Sequence, residues 1–350
     1  MTDKKKDIRA LTKEALREFF VANGDKAFRG NQVYEWLWAK GAHSFDDMTN
    51  ISKDTRQMLE ANFVINHIRV DHMQRSNDGT IKNAVTLHDG LVVESVLIPT
   101  DYRTTACVSS QVGCSLDCKF CATARLKRMR NLNPDEIYDQ VVAINNQSKH
   151  YHDRKLTNIV FMGMGEPLMN YPNVLKAIDK ITSDEGLGMS PRRITVSTSG
   201  VPKMIKKMAD DEVKFNLAVS LHSALDDVRT SIMPFNSKFP LADLREALQH
   251  WYAKTKKMIT YEYVVWAGIN DQPKDVDALV EFCRFAPSKV NLIEYNPIDD
   301  GIFQQAGEKA IKMYVDKLER NNITVTIRRS RGKDIDAACG QLANKNDAVV

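Results

Sequence analysis

The hydrophobic pattern of this 350-residue chain changes period twice, and it predicts an α/β protein. Residues 1–66 space their apolar side chains as helices do, residues 67–99 alternate as half-buried strands do, and residues 100–330 repeat strand then helix six times. A helical module, an antiparallel connector and a core with a parallel sheet are therefore expected in that order. Residues 331–350 form a short polar C-terminal segment that contains a cysteine.

The module starts with LTKEALREFFVANG, where leucine and phenylalanine recur at helical spacing and Gly24 marks the end. GNQVYEWLWAKG and SKDTRQMLEANF follow, the second with Ser52 placed to cap its N-terminus. From His67 the segments HIRVDHMQ, TIKNAVTLHDG and LVVESVLIPT alternate with a period of two, and Asp89-Gly90 marks a hairpin between the last two. After Thr100 the predicted strands are TACVSSQV, NIVFMG, RITVST, FNLAVSL, MITYEYVVW and VNLIEYN. Between and after them lie the amphipathic segments PDEIYDQVVAINN, PNVLKAIDKI, VPKMIKKMA, LADLREALQHWYAK, PKDVDALVEFCRF and GEKAIKMYVDKLER. Six such units require parallel strands joined by right-handed crossovers, and ITVTIRRS adds a further strand.

Composition narrows the class. With 43% hydrophobic and 27% charged residues the chain suits a soluble globular fold, and no run reaches the roughly 18 apolar residues of a membrane span. The charged start MTDKKKDIRALTKE has no export-signal core, so a cytoplasmic location is expected. Thiols stay reduced there, and the six cysteines are read as metal ligands or reactive thiols rather than disulfides. Net charge is only +4, but basic residues cluster at Arg125 to Arg130, Arg192 and Arg193, Lys203 to Lys207, and Arg328 to Lys333. Read together they suit a polyanionic partner; read singly they are solvated faces.

Loops at the carboxyl ends of parallel strands carry function in α/β folds. Cys114, Cys118 and Cys121 follow the first such strand, MGMGEP (162–167) the second, STSG (197–200) the third, SLHS (220–223) the fourth and EYNP (294–297) the sixth, so one cavity at one rim is expected. The stretch CSLDCKFC gives three cysteines in CxxxCxxC spacing. A structural zinc site usually takes four ligands, and neither a second CxxC nor an HxxxH is present. Three thiolates can instead hold three irons of a cubane 4Fe-4S cluster and leave the fourth open to a non-protein ligand.

This spacing, with Phe120 before the last cysteine and six strand–helix units around it, resembles the radical S-adenosylmethionine superfamily. The resemblance implies a partial (β/α)6 barrel, one 4Fe-4S cluster bound by Cys114, Cys118 and Cys121, and S-adenosylmethionine chelated at the open iron. One electron then cleaves the cofactor to methionine and a 5′-deoxyadenosyl radical. MGMGEP is similar to the superfamily's glycine-rich segment ending in Glu-Pro, although a glycine-permitted turn explains it equally well on its own. ACVSSQVGC, VESVLIP, FMGMGEP, SPRRITVSTSG, SLHS, EYNP and RGKDIDAACGQLA, with RGNQVYEWLW upstream, narrow the match. They look like the bacterial RNA adenine-C2 methyltransferase family, whose members act on 23S rRNA and, where dual in specificity, on the tRNA adenosine beside the anticodon.

Adenine C2 lies between two ring nitrogens and has no nucleophilic lone pair, so polar attack on a sulfonium methyl is closed to it while radical addition is open. The family resemblance implies that Cys339 accepts a methyl group from one S-adenosylmethionine. A second supplies the radical that activates this methyl group, so two are used per transfer and a protein–RNA covalent intermediate forms. Release takes a base for the C2 proton and a second thiol that attacks the Cys339 sulfur. Cys107 matches that thiol and Glu94 that base, the alternatives being a small buried strand cysteine and a solvated edge glutamate. Glu94 shares a strand face with Val92 and Val96, so partial desolvation is expected. Gly165, Glu166, Ser197, Ser220, Leu221, His222 and Asn296 match cofactor contacts, with His222 also readable as an ordinary rim histidine. Cys283 reads as core packing.

Trp36 and Trp38 either grip RNA or fill the helical core. The implied partners are 23S rRNA, tRNA and an electron donor such as flavodoxin or ferredoxin, with a monomer as the default. Many family members place Gly-Phe before the Arg-Asn-Leu found here at 130–132; this chain has ARLKRM, which leaves the RNA contacts of that loop open. A C8-methylating relative shares the cysteines and ACGQL, but VESVLIP resembles the C2 group. From another class, a non-catalytic RNA-binding protein with a structural metal remains an alternative.

Overall fold

The structure, a computed structural model, describes residues 5–298 and 301–344. Among these residues ten strands form one sheet: β1 (Arg69–Arg75), β2 (Ile81–Thr86), β3 (Val92–Pro99), β4 (Thr104–Cys107), β5 (Asn158–Phe161), β6 (Ile194–Thr198), β7 (Asn216–Ser220), β8 (Ile259–Val264), β9 (Ser288–Ile293) and β10 (Thr324–Arg328). Their order across the sheet is their order along the chain. Strands β4 to β10 are parallel, as short strand–helix–strand crossovers demand, and β1 to β4 are antiparallel. The antiparallel strands are thus hydrogen-bonded into the core sheet, with β4 as the hinge between the two halves. Val96 opposes Cys107 on one side, and Val160 opposes it on the other.

Alternate residues such as Asn158 and Val160, Thr260 and Glu262, or Thr326 and Arg328 line a cavity that also touches β3, β4, β6 and β9. Only a sheet curled on itself brings these strands around one space, so the core is a partial barrel. The intervening positions, including Ile159, Val196, Leu217, Tyr261, Tyr263, Val290 and Leu292, are buried. The helices are α1 (Lys13–Ala22), α2 (Phe28–Trp38), α3 (Lys53–Asn62), α4 (Pro134–His152), α5 (Tyr171–Thr182), α6 (Pro202–Asp210), α7 (Asp226–Ile232), α8 (Leu241–Thr255), α9 (Pro273–Cys283) and α10 (Glu308–Arg320). Cys283 is buried at the end of α9, in the main core.

The N-terminal helices follow from their caps. Thr12 Oγ1 accepts from the Ala15 N–H at 3.1 Å, and Ser52 Oγ accepts from the Thr55 N–H at 3.2 Å. Helices α1 and α2 cross closely at Gly30, where a Cβ would stand 2.6 Å from the Arg17 nitrogen. The module docks on α4 through Arg9, whose guanidinium donates to Asp139 at 2.8 Å and Asp135 at 3.1 Å. Trp38 packs edge-on against Tyr138, whose hydroxyl donates to the Trp38 carbonyl at 2.8 Å. Of the two readings for the tryptophans, Trp38 therefore takes the core one. Trp36 is half-buried, with its indole N–H on Asn50 and Lys40 over its ring.

One strand is shorter than the pattern suggests. TACVSSQV runs as a strand only to Cys107, because the Ser109 N–H is taken by Gln140 Oε1 and the Ser110 N–H by the Met164 carbonyl. The chain leaves the sheet there for the rim. Gln111 and Val112 then pair with Arg130 and Asn131, closing the base of the loop that carries the three cysteines.

Candidate active site

A cavity of about 160 Å³ opens at the carboxyl ends of the parallel strands. Cys114, Cys118, Cys121, Gly165, Glu166, Ser197, Ser220, His222, Asn296 and Cys339 all line it, so one wall gathers residues from five rim loops and the C-terminal segment. Leu221 does not. Its side chain is fully buried beneath the rim, while its N–H donates to the Glu262 carbonyl at 3.0 Å. Alternation sets Leu221 opposite to Ser220 at the end of β7, and His222, with φ +55, turns back toward the cavity.

The cysteine loop is held by its neighbours. The Cys121 N–H donates to the Cys118 carbonyl at 3.1 Å, and the Ala122 N–H donates to the Gly340 carbonyl at 2.7 Å. Leu116, Met233, Phe235, Trp266 and Phe303 form an apolar cluster around the thiols, and the Phe120 ring meets His222 edge-on at 4.8 Å. Burial, helped by neighbouring thiols, pushes Cys114 up to about 11 and raises Cys118 and Cys121 as well. Such thiols ionise when a bound cation compensates them. Among the described residues no three His, Cys, Asp or Glu side chains converge on a single-ion position. Three thiols spread around one wall suit instead a polynuclear group that takes one thiolate per iron, and the donor set fits a 4Fe-4S cluster.

Arg229, which the sequence reading passed over, is fully buried on α7. It donates to the carbonyls of Leu221 at 3.1 Å and Ser199 at 2.6 Å, and to Asn236, which ties the loops after β6 and β7 together. Burial lowers it to about 10, and its charge favours an anionic Cys118. Nothing in DDVRTS announces this, because an arginine on a short helix is ordinarily solvated.

The other rim loops carry acceptors. Gly165 has φ +90 and packs so tightly on Gln111 that a Cβ would collide with its side chain, so this turn requires glycine. It delivers Glu166, whose carboxylate accepts from Leu168 N–H at 3.0 Å and Ser199 N–H at 2.8 Å, while burial raises its pKa. His222 Nδ1 accepts from the Val264 N–H at 3.1 Å, which leaves the proton on Nε2. Burial and then Arg229 depress its pKa to about 3, so the ring is neutral. Asn296 donates to the Cys339 carbonyl at 3.2 Å, and its Oδ1 is buried without a hydrogen-bond partner. Buried acceptors beside a thiol triad fit an amino acid headgroup such as that of S-adenosylmethionine.

A second cavity of about 520 Å³ lies inside the barrel and shares Cys121, Glu262 and Cys339 with the first. Cys107 lines it, facing the same space as Cys339. Burial, with Cys339 second, pushes the Cys107 thiol up to about 12, and Arg328 works against this. Arg328 reaches inward, 3.6 Å from Glu262 Oε2 and 3.5 Å from Met162 Sδ. This member of the C-terminal basic cluster therefore faces the cavity, with its side chain 32% exposed. Arg130 is likewise occupied, bridging Asp89 at 2.6 Å and Glu136 at 2.8 Å, whereas Lys127 and Arg128 are exposed.

Glu94 lines neither cavity. It is 1% exposed, beyond the point where β3 pairs with the end of β4, and residues 343–344 cross over its carboxylate. The solvated reading of this glutamate does not hold, and its desolvation is complete rather than partial.

Comparison with known proteins agrees with this geometry. The family described as ribosomal RNA large subunit methyltransferase N-terminal domain matches residues 6–65, and the radical SAM superfamily matches residues 108–283. The chain is 78% identical over 344 residues to the probable dual-specificity RNA methyltransferase RlmN of Christiangramia forsetii, covering 98% of each. It is 74% identical over 349 residues to the protein of the same description in Flavobacterium johnsoniae, covering 100% of each. A crystal structure of a radical SAM methyltransferase from Sphaerobacter thermophilus superimposes with a TM-score of 0.90 at 37% identity, covering 96% of this chain and 99% of that one. The chain belongs to the RlmN family of radical S-adenosylmethionine RNA methyltransferases.

Proposed function

We propose that this enzyme methylates C2 of adenosine in 23S rRNA and in tRNA beside the anticodon, and that the methyl group travels through Cys339. The observation that carries this reading is the place of Cys339, on the wall shared by the cavity of the three cluster thiols and the cavity of Cys107. The 4Fe-4S cluster and S-adenosylmethionine supply, when bound, a methyl cation equivalent and a hydrogen-abstracting carbon radical.

The protein's own residues do the rest. Cys114, Cys118 and Cys121 hold the cluster, and Gly165, Glu166, Ser197, Ser220, His222 and Asn296 orient the cofactor, with the neutral His222 donating from Nε2. Leu221 contributes through its backbone. Cys339 accepts the methyl group and, once this is activated, bonds through it to C2. Glu94 takes the C2 proton, and Cys107, held as a neutral thiol by burial until then, attacks the Cys339 sulfur, so that a disulfide forms as the bond between that sulfur and the RNA-borne carbon breaks.

The same reading assigns residues 1–66 to RNA-facing support, 67–99 to a connector, 100–330 to the catalytic barrel and 331–350 to the segment bearing Cys339, of which 345–350 lie outside the described residues. It takes flavodoxin or ferredoxin as electron donor, a monomer as working state and the cytoplasm as location. No helix among the described residues is long and apolar enough to cross a membrane.

The test is a trapping experiment. Cys107→Ala, loaded with cluster and turned over without oxygen, should retain RNA covalently on a denaturing gel, and Cys339→Ala should form no such band. Free RNA from Cys107→Ala beside an active wild type would remove Cys107 from the mechanism.

A further inference from the structure

Glu94 and Lys82 form a buried pair, 1% and 4% exposed, with Oε1 3.4 Å from Nζ. One ammonium leaves a buried carboxylate short of donors. Two backbone groups serve its other oxygen: Glu94 Oε2 accepts from the Ala343 N–H at 2.7 Å and the Asn344 N–H at 3.1 Å, while Oε1 faces Lys82 without a hydrogen bond. Asn344 also donates from Nδ2 to the Val92 carbonyl at 2.8 Å, and it is held at φ +51, which a free chain seldom adopts.

These donors end the strap that carries Cys339. Upstream, the strap is fastened where Asp78 accepts from the Gly332 N–H at 2.9 Å and Asp334 accepts from Ser76 at 2.6 Å. The carbonyls of Cys339, Gly340 and Leu342 are taken by Asn296, Ala122 and Thr123. Among the described residues only the Glu94 contact places a charged group under the strap's far end, and charge-assisted hydrogen bonds of this kind are about twice as strong as neutral ones.

We propose that Glu94 is also a positioning residue that clamps the strap and so fixes Cys339 against the cavity for methyl acceptance. This rests on the reading of Cys339 as methyl acceptor. In that step the Cys339 sulfur bonds to the methyl carbon and the sulfonium–carbon bond breaks. The bonding electron pair stays on the departing thioether, and the thiol proton passes to solvent.

Two variants of the cluster-loaded full chain separate the clamp from a base. Glu94→Gln removes the charge, whereas Ala343→Pro deletes the shorter donor and leaves Glu94 and Lys82 untouched. Methyl incorporation at Cys339 is followed by peptide mass, strap opening by hydrogen exchange of the peptide spanning 339–344, and covalent RNA by denaturing gel. The clamp requires both variants to methylate Cys339 roughly tenfold more slowly or worse, with faster exchange in the strap and unchanged exchange in barrel peptides. Normal methylation in both, with covalent RNA accumulating in Glu94→Gln alone, would overturn the clamp and leave Glu94 with the proton-accepting role alone. A wild type that never methylates Cys339 would overturn the underlying reading of the site, and the clamp with it.

Discussion

His222 stays neutral because burial and Arg229 both oppose its protonation, which holds its pKa near 3 in the folded chain. The unfolded chain binds that proton below about pH 6.5, so between pH 6.5 and 3 the unfolded state holds more protons and stability falls as the pH drops. At pH 5 the deficit amounts to about 2 kcal/mol. His222→Asn keeps an acceptor for Val264 and tolerates the positive φ, so denaturant unfolding at pH 5 and pH 7.5 should show the acid loss reduced by about that amount. An unchanged acid loss would mean that His222 is protonated in the fold. Residues of this kind differ in what the sequence reveals. The CxxxCxxC spacing is local and chemically specific, so the cluster thiols are legible. Arg229, Glu262 and Arg328 are not, because an isolated charge reads as solvated until the fold shows that it is buried or faces inward.

The elements that position the site were legible to different depths. Helical spacing and Ser52 locate α1 to α3, and period-two alternation locates β1 to β3, but the pairing of β3 with β4 depends on a long-range choice that neither segment encodes alone. The strap of residues 331–344 has no period, and its partners Asp78 and Glu94 lie about 250 residues away, so its path was hidden. The module's docking rests on Arg9 with Asp135 and Asp139. Arg9→Met should cost on the order of 3 kcal/mol, because it leaves two carboxylates beside each other with burial already raising Asp135 to about 7. Urea unfolding would check this: a midpoint equal to that of the wild type would show that the pair contributes nothing to docking.

Across the whole molecule, a sheet whose strands follow chain order brings Cys107 on its fourth strand and Cys339 beyond its tenth to one cavity. On the proposed route, that closure lets Cys339 receive the methyl group within reach of the thiol that releases it. Replacing Cys114, Cys118 and Cys121 together by Ala should abolish bound iron and acid-labile sulfide, and zinc bound without sulfide in the wild type would instead favour a structural metal.

Passage of the methyl group through Cys339 is tested most directly by anaerobic turnover of the cluster-loaded chain with methyl-trideuterated S-adenosylmethionine and protein-free 23S rRNA plus tRNA. The RNA is then digested and its nucleosides are weighed by mass spectrometry. Hydrogen abstraction from S-methyl-Cys339 requires 2-methyladenosine that keeps two of the three deuterium atoms. A product that keeps all three would mean direct polar transfer and would contradict a route through the protein.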